Sequence, residues 1–334
     1  MRREIDRASE ETGPHLSELR WTGHGLSRPE CVLATADGSV YTADWRGGVA
    51  HLRPDGSQVL YLAQPADGEA LKPNGIMLRA DGSFLLAHLG AERGGVFAMG
   101  RDGQTRPWLE RVDGVDLPPT NFAVEDGQGR VWITVSTRKS PRALGYRSDC
   151  NDGFIVVVDC QGARIVADGL GYTNECLVDA HDGWLYVNET FGRRLSRFAI
   201  RADGALGLRE VFCEFGPGTF PDGLAQDAEG GLWVTSIVSN RLIRVMPDGR
   251  QQVWLEDSDP AHLTWVEKAY ESHGMGREHL DGVKSRALLN ISSLAFGGPD
   301  LRTGYLGCLL GDSLPTLRMP VSGTPPVHWN YGAP

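Results

Sequence analysis

Five oxygen-bearing side chains recur along this 334-residue chain at nearly even intervals: Glu30, Asn74, Asn121, Asn174 and Asp222, separated by 44, 47, 53 and 48 residues. Each stands at the head of a short apolar run that reaches an Asp/Gly-rich turn and then a second apolar run. Ahead of a single strand, an Asn or Asp is ordinarily a turn former. Five in register are a different matter, because a repeat that closes on itself turns equivalent positions into a ring. Two carboxylates and up to three amides then make a set of hard oxygen donors with formal charge −2, which suits Ca²⁺ and tolerates Mg²⁺, Mn²⁺ or Zn²⁺. Without a cation, Glu30 and Asp222 in such a ring would repel each other or take up a proton.

The elements that must hold these residues follow from the repeat itself. Its copies read PECVLATADGSVYTADW from Pro29, PNGIMLRADGSFLLAHLG from Pro73, TNFAVEDGQGRVWITVS from Thr120, TNECLVDAHDGWLYVNET from Thr173, PDGLAQDAEGGLWVTSI from Pro221 and SSLAFGGPDLRTGYLGCL from Ser292. The last copy adds Ser292 or Ser293 to the ring. A period in the forties is the length of one four-stranded propeller blade, and runs such as GGVAHLRPDG and RLIRVMPDG between the copies supply outer strands. The expected fold is therefore all-β: a six-bladed β-propeller forming a single domain over residues 21–334, after an N-terminal extension, 1–20. Residues 20–26 are placed to add a strand to the C-terminal blade, closing the ring and removing an exposed edge. The interval from Asp222 to Ser293 exceeds a blade by about 25 residues. That excess, about 258–288, reads as a helical insertion before or within the last blade, acting either as a lid or as a packing helix.

Bulk properties exclude several classes of function. Hydrophobic residues make up 41% and charged residues 23%, enough for a sizeable core. The formal charge is −10 and no Lys/Arg run reaches five, so a phosphate-tracking stripe is missing and nucleic acid is not an expected partner. No window approaches the roughly 18 apolar residues of a membrane span, and the charged N-terminus lacks the apolar core of a signal peptide. Six cysteines without a Cys-x-x-Cys pair read as reduced thiols of a cytoplasmic protein, with a monomer as the default. No Gly-x-Ser-x-Gly elbow, phosphate loop, dinucleotide fingerprint or His-Glu-x-x-His helix is present.

Pro29-Glu30, Tyr172-Thr173-Asn174, FPDGLAQDAEGGLWVTSIVSNRLIRVMPDG from Phe220 and AFGGPDLRTGYLG from Ala295 together resemble the SMP-30/gluconolactonase/luciferin-regenerating-enzyme family, also called regucalcin-like proteins. The resemblance spans nearly all of residues 25–320. It implies a six-bladed propeller with one divalent ion, Ca²⁺ before Zn²⁺, Mn²⁺ or Mg²⁺, held by Glu30, Asn121, Asn174 and Asp222. It also implies a lactonase acting on a small molecule, with Asp222 as the base that activates water. The third copy departs from the family pattern: Asn121 is followed by Phe122 and Ala123 rather than by Asp, and Pro119 stands where sugar-lactonase members carry an arginine.

Asn74 is a candidate substrate contact. His88 follows the second blade's inner run, and Arg138 and Tyr146 lie in the excursion STRKSPRALGYRSDCND, placed to overhang the channel mouth. Trp132, Trp184 and Trp233 occupy matching repeat positions and are expected to pack between blades. Two other functions fit the same scaffold, since fold does not fix function. One is hydrolysis of a phosphotriester or cyclic diketone; the other is metal or ligand binding without catalysis.

Overall fold

Strand length in this chain is set by its Asp-Gly turns. In each, the aspartate accepts the backbone N–H two residues on: Ser39 to Asp37 at 2.9 Å, Ser57 to Asp55 at 2.9 Å, Ser83 to Asp81 at 3.0 Å and Arg250 to Asp248 at 3.0 Å. The glycine between takes a left-handed φ, +84° at Gly38 and +83° at Gly56, which a side chain would resist. The turns thus cut the apolar runs into short antiparallel strands.

The structure is a computed structural model that describes residues 13–65, 69–91 and 93–331. Among them the strands form six four-stranded antiparallel sheets and one small two-stranded pair, Arg111–Val112 with Val115–Asp116. The inner strands are Val32–Ala34, Pro73–Leu78, Thr120–Glu125, Thr173–Val178, Phe220–Gln226 and Ile291–Gly297. Neighbouring inner strands pack side by side all the way round, the sixth against the first. This is the six-bladed β-propeller expected from the repeat.

The last blade is closed by the N-terminal segment. Arg20–Thr22 pairs antiparallel with Leu314–Arg318, Arg20 opposite Thr316 and Thr22 opposite Leu314. Leu19, just ahead, is buried beside Trp233 and Leu317 in the core of the last two blades. Residues 1–12 of the N-terminal extension lie outside the described residues.

Two tryptophans show how repeat positions are spent on packing. Trp132 and Trp233 are fully buried, and their indole N–H groups donate to Asp126 at 2.8 Å and Asp227 at 2.9 Å. Those aspartates also hold their own turns and accept from Arg130 and Arg244. Trp184, the third of the set, is only partly buried and lies under Arg197, 4.2 Å from its ring.

Blades meet most closely beside the axis. A Cβ on Gly223 would lie 2.5 Å from both the Ser292 carbonyl oxygen and the Ser293 Cα, backbone atoms that cannot step aside. Gly223→Ala should therefore destabilise the fold by about 1–3 kcal/mol through overpacking, read as a lower denaturation midpoint at unchanged slope.

The insertion holds two helices, α1 (Pro260–Glu271) and α2 (Arg277–Asp281). Pro260 opens α1 and Asp259 caps it, accepting from the His262 N–H at 2.7 Å. Val266 and Tyr270 turn inward onto Phe191 and Phe220, and the Tyr270 hydroxyl donates to the Phe191 carbonyl. The returning chain is tied by Asp257, which accepts the backbone N–H groups of Arg286, Ala287 and Leu288. The insertion therefore packs on the propeller's end and, through α2, reaches its pocket. No helix among the described residues is long and apolar enough to cross a membrane.

Candidate functional site

The five recurrent residues stand at the starts of inner strands, and the fold brings all of them to the lining of one narrow pocket of about 30 Å³. Asn74, Asn121 and Asn174 are each the second residue of their strand, Asp222 is the third, and Glu30 lies two residues ahead of Val32. Pairing between the first two strands of a blade slips at these points: between Pro73 and Ile76, Thr120 and Phe122, Thr173 and Cys176, and Pro221 and Leu224. A bulge breaks the strand's alternation and re-aims a side chain. Here it turns a polar residue toward the axis. Ser292 is buried outside the pocket lining, its hydroxyl donating to the Glu30 carbonyl at 3.0 Å.

The three amides are clamped by their nitrogens. Asn74 Nδ2 donates to the Asn121 carbonyl at 3.2 Å, Asn121 Nδ2 to Ser136 Oγ at 3.0 Å, and Asn174 Nδ2 to Thr190 Oγ1 at 3.0 Å. The Thr190 hydroxyl is itself spent on the Pro221 carbonyl, so it can only accept from Asn174. All three Oδ1 atoms are left buried with no donor among the described residues. An unsatisfied buried acceptor costs about 1–3 kcal/mol, and three facing one pocket make a persistent negative potential.

The carboxylates deepen it. Burial, then the charges of Glu30 and Glu175, push the Asp222 carboxyl well above its ordinary range. Burial pushes Glu175 up to about 8, against the lowering effect of the Leu224 N–H, which it accepts at 2.9 Å, and of Ser293. Glu30 is offset by Arg28, 2.9 Å away, whose guanidinium lies 4.2 Å from the Trp45 ring. Among the described residues no group of three His, Cys, Asp or Glu is arranged for a metal. The ring instead offers two carboxylates and three amide oxygens, a donor set for a hard cation.

Above the ring the wall is aromatic. Tyr146 stacks on Phe191 at 4.7 Å between centroids, and Tyr172 meets Phe191 edge-on at 4.8 Å. Tyr172 takes φ +70°, a left-handed conformation that a bulky residue adopts only where its surroundings impose it. Arg142, Arg277 and Leu280 complete the mouth.

That loop is held by Glu189, fully buried, which accepts from the Gly171 N–H, Arg194 and Ser196. Burial alone would raise this carboxyl, but those three donors outweigh it and hold it below the ordinary range. A depressed carboxylate contributes stability above its unfolded pKa, about 4.3, and loses it as pH falls through the folded value. Glu189→Gln should thus cost about 2 kcal/mol at pH 7. In urea melts the gap to wild type should close as pH falls below 4.3.

Of the pocket candidates drawn from the sequence, Asn74 and Tyr146 line the pocket, while His88 and Arg138 do not. His88 is buried in its own blade, its Nδ1 accepting from the Lys72 N–H at 3.0 Å and its ring edge-on to Phe97 at 5.6 Å. Arg138 is drawn to Asp168 by two 2.8 Å hydrogen bonds and lies 4.3 Å from the Phe154 ring. Sequence reasoning passed over Arg28, Arg142, Tyr172, Glu175 and Arg277. Arg28 directly precedes a quoted family segment and Tyr172 opens another, so both were within reach; Arg142 and Arg277 lie in irregular segments with no repeat to flag them.

Comparison with known proteins agrees with this fold. The SMP-30/Gluconolactonase/LRE-like region model matches residues 29–266. A 6-deoxy-6-sulfogluconolactonase of Pseudomonas putida is 29% identical over 283 residues, 83% of this chain and 81% of that protein. A pentonolactonase of Haloferax volcanii is 28% identical over 243 residues, 71% and 67% of the two chains. The crystal structure of the calcium-binding protein regucalcin from Agrobacterium tumefaciens superposes with a TM-score of 0.60 at 16% identity, covering 91% of this chain and 96% of that one. With a family match over most of its length and the six blades to go with it, the chain belongs to the SMP-30/gluconolactonase/LRE-like family.

Proposed function

We propose that this protein is a divalent-metal-dependent lactonase, opening a small cyclic ester at the propeller axis. The observation that carries the proposal is the trio of clamped, donorless amide oxygens facing two carboxylates. Glu30, Asn121, Asn174 and Asp222 would hold the ion, with Ca²⁺ favoured by the all-oxygen donor set and Mg²⁺, Mn²⁺ or Zn²⁺ tolerated. When bound, such a cation polarises a carbonyl oxygen and offsets the negative charge that grows on it.

The chain's own groups do the rest. Asp222 takes a proton from the water that attacks the carbonyl carbon, and returns it to the ring oxygen as the C–O bond breaks, leaving a hydroxy acid. Asn74 contacts the substrate from beside the ring. Tyr146, Tyr172 and Phe191 shape an apolar wall that limits water at the reacting bond. The lactonase names of the Pseudomonas and Haloferax relatives support this reaction over phosphotriester or diketone hydrolysis.

The test is a pH-indicator assay over sugar, aliphatic and aromatic lactones, using chelator-stripped protein with and without Ca²⁺, Mn²⁺ and Zn²⁺. Turnover restored by a metal is the expected result. A protein that binds metal but opens no lactone sinks the lactonase proposal.

A further inference from the structure

We infer that the pocket mouth is an anion subsite built by Arg142 and Arg277, and that the lactone it takes carries an anionic substituent away from the scissile ester. This rests on the lactonase proposal and narrows its substrate class to lactones bearing a carboxylate, sulfonate or phosphate.

Two guanidinium groups reach the same pocket from different segments. Arg142 opens the short 3₁₀ turn Arg142–Gly145 in the third blade's excursion, and Arg277 is the first residue of α2. Both act electrostatically on Tyr172, and Arg142 acts on Asp222 as well. Arg277 lines the same pocket as Tyr146, the aromatic wall residue.

Their partnering sets Arg142 apart. Arg28 is paired with Glu30, Arg193 with Glu267 and Arg194 with Glu189. Arg142 has no carboxylate partner among the described residues. Its one hydrogen bond is a long one, 3.4 Å from Nη2 to Ser136 Oγ, and its Nε is buried without an acceptor. Unpaired guanidinium charge at a desolvated site is costly.

The negative groups within reach of Arg142 belong to the ring. A divalent cation there would cancel Glu30 and Asp222, leaving Arg142 with no negative group opposite it and only the Tyr172 ring, 5.6 Å from its guanidinium. Arg277 keeps Asp281 at 2.6 Å on its outer side, and its remaining donors can serve the pocket. An anion between the two completes the charge balance, and the planar fork of a guanidinium matches carboxylate, sulfonate and phosphate oxygens alike. The anionic group takes no part in bond making or breaking; it anchors the end of the substrate that does not react.

The test compares gluconolactone with counterparts carrying carboxylate, sulfonate or phosphate at the terminal carbon, on metal-loaded protein. The best anionic lactone should exceed the neutral one in kcat/KM by about 10- to 100-fold, the worth of one or two charge-assisted hydrogen bonds, and its identity distinguishes the three anions. That ratio should fall toward one in Arg142→Gln, recover in part in Arg142→Lys, and shrink as salt rises. Arg277→Gln, at an exposed position, should lower it too and guards against a folding defect in the first variant.

Calorimetry supplies a readout independent of turnover: the open-chain dicarboxylate should bind more tightly than the monocarboxylate, and lose about 10-fold in Arg142→Gln. A ratio near one in wild type, with neutral lactones opened well, overturns the subsite and leaves the lactonase proposal standing. Arg142-dependent dianion binding without turnover of any lactone does the reverse. Neither binding preference nor turnover overturns both.

Discussion

Asp222→Asn is expected to lower kcat for lactone opening by about 10³-fold or more, because general base catalysis alone contributes about 10²- to 10⁴-fold and the same carboxylate is a proposed ligand. The substitution preserves shape, so the loss comes from charge and basicity. Asp222 is buried on the inner strand Phe220–Gln226, beside Glu30 and Glu175, and makes no ion pair with any described residue. Removing its charge relieves repulsion in the metal-free protein. The variant should therefore melt at or above the wild-type temperature without metal while being nearly inactive with it. Steady-state kinetics beside thermal melts would show the split. A variant within tenfold of wild-type kcat would remove Asp222 from the chemistry.

Metal removal should have the second large effect. Chelator-treated protein should lose essentially all turnover, and added Ca²⁺ at a hundred times its dissociation constant should stabilise the fold by about 2.7 kcal/mol through mass action. The physical source is local: three amide oxygens and two carboxylates that oppose one another in the bare protein acquire a common partner. Asn121→Leu and Asn174→Leu remove an acceptor each, so the bare protein should lose little while the Ca²⁺-dependent rise in melting temperature disappears. Activity that survives exhaustive chelation, with melting unchanged by Ca²⁺, would contradict metal dependence.

Much of this architecture was legible because the chain repeats itself. Equal positions in a propeller converge, so spacing alone predicted that Glu30, Asn74, Asn121, Asn174 and Asp222 meet, and they line one pocket. The helix of the insertion was legible from a missing signal, a long stretch without turn pairs near its start. Less visible were residues whose position depends on irregular backbone. Arg142 and Arg277 enter the mouth from a 3₁₀ turn and a five-residue helix, and neither has a counterpart in another repeat.

Glu175 shows a subtler limit. It follows Asn174, and strict strand alternation would send neighbours to opposite faces. The break in pairing between Thr173 and Cys176 removes that rule, and both residues end up buried within reach of the axis. His88 and Arg138 fail for the opposite reason. Ordinary local partners, the Lys72 N–H and the Asp168 carboxylate, hold them elsewhere.

The central claim is that the ring is a cation site, and direct titration of Ca²⁺ and Mn²⁺ into chelator-stripped protein by calorimetry tests it most plainly, with Asn174→Leu and Asp222→Ala alongside. One ion bound per chain in the wild type, with affinity falling at least tenfold in each variant, is the predicted result. No binding in the wild type, or binding that both variants retain unchanged, would contradict it.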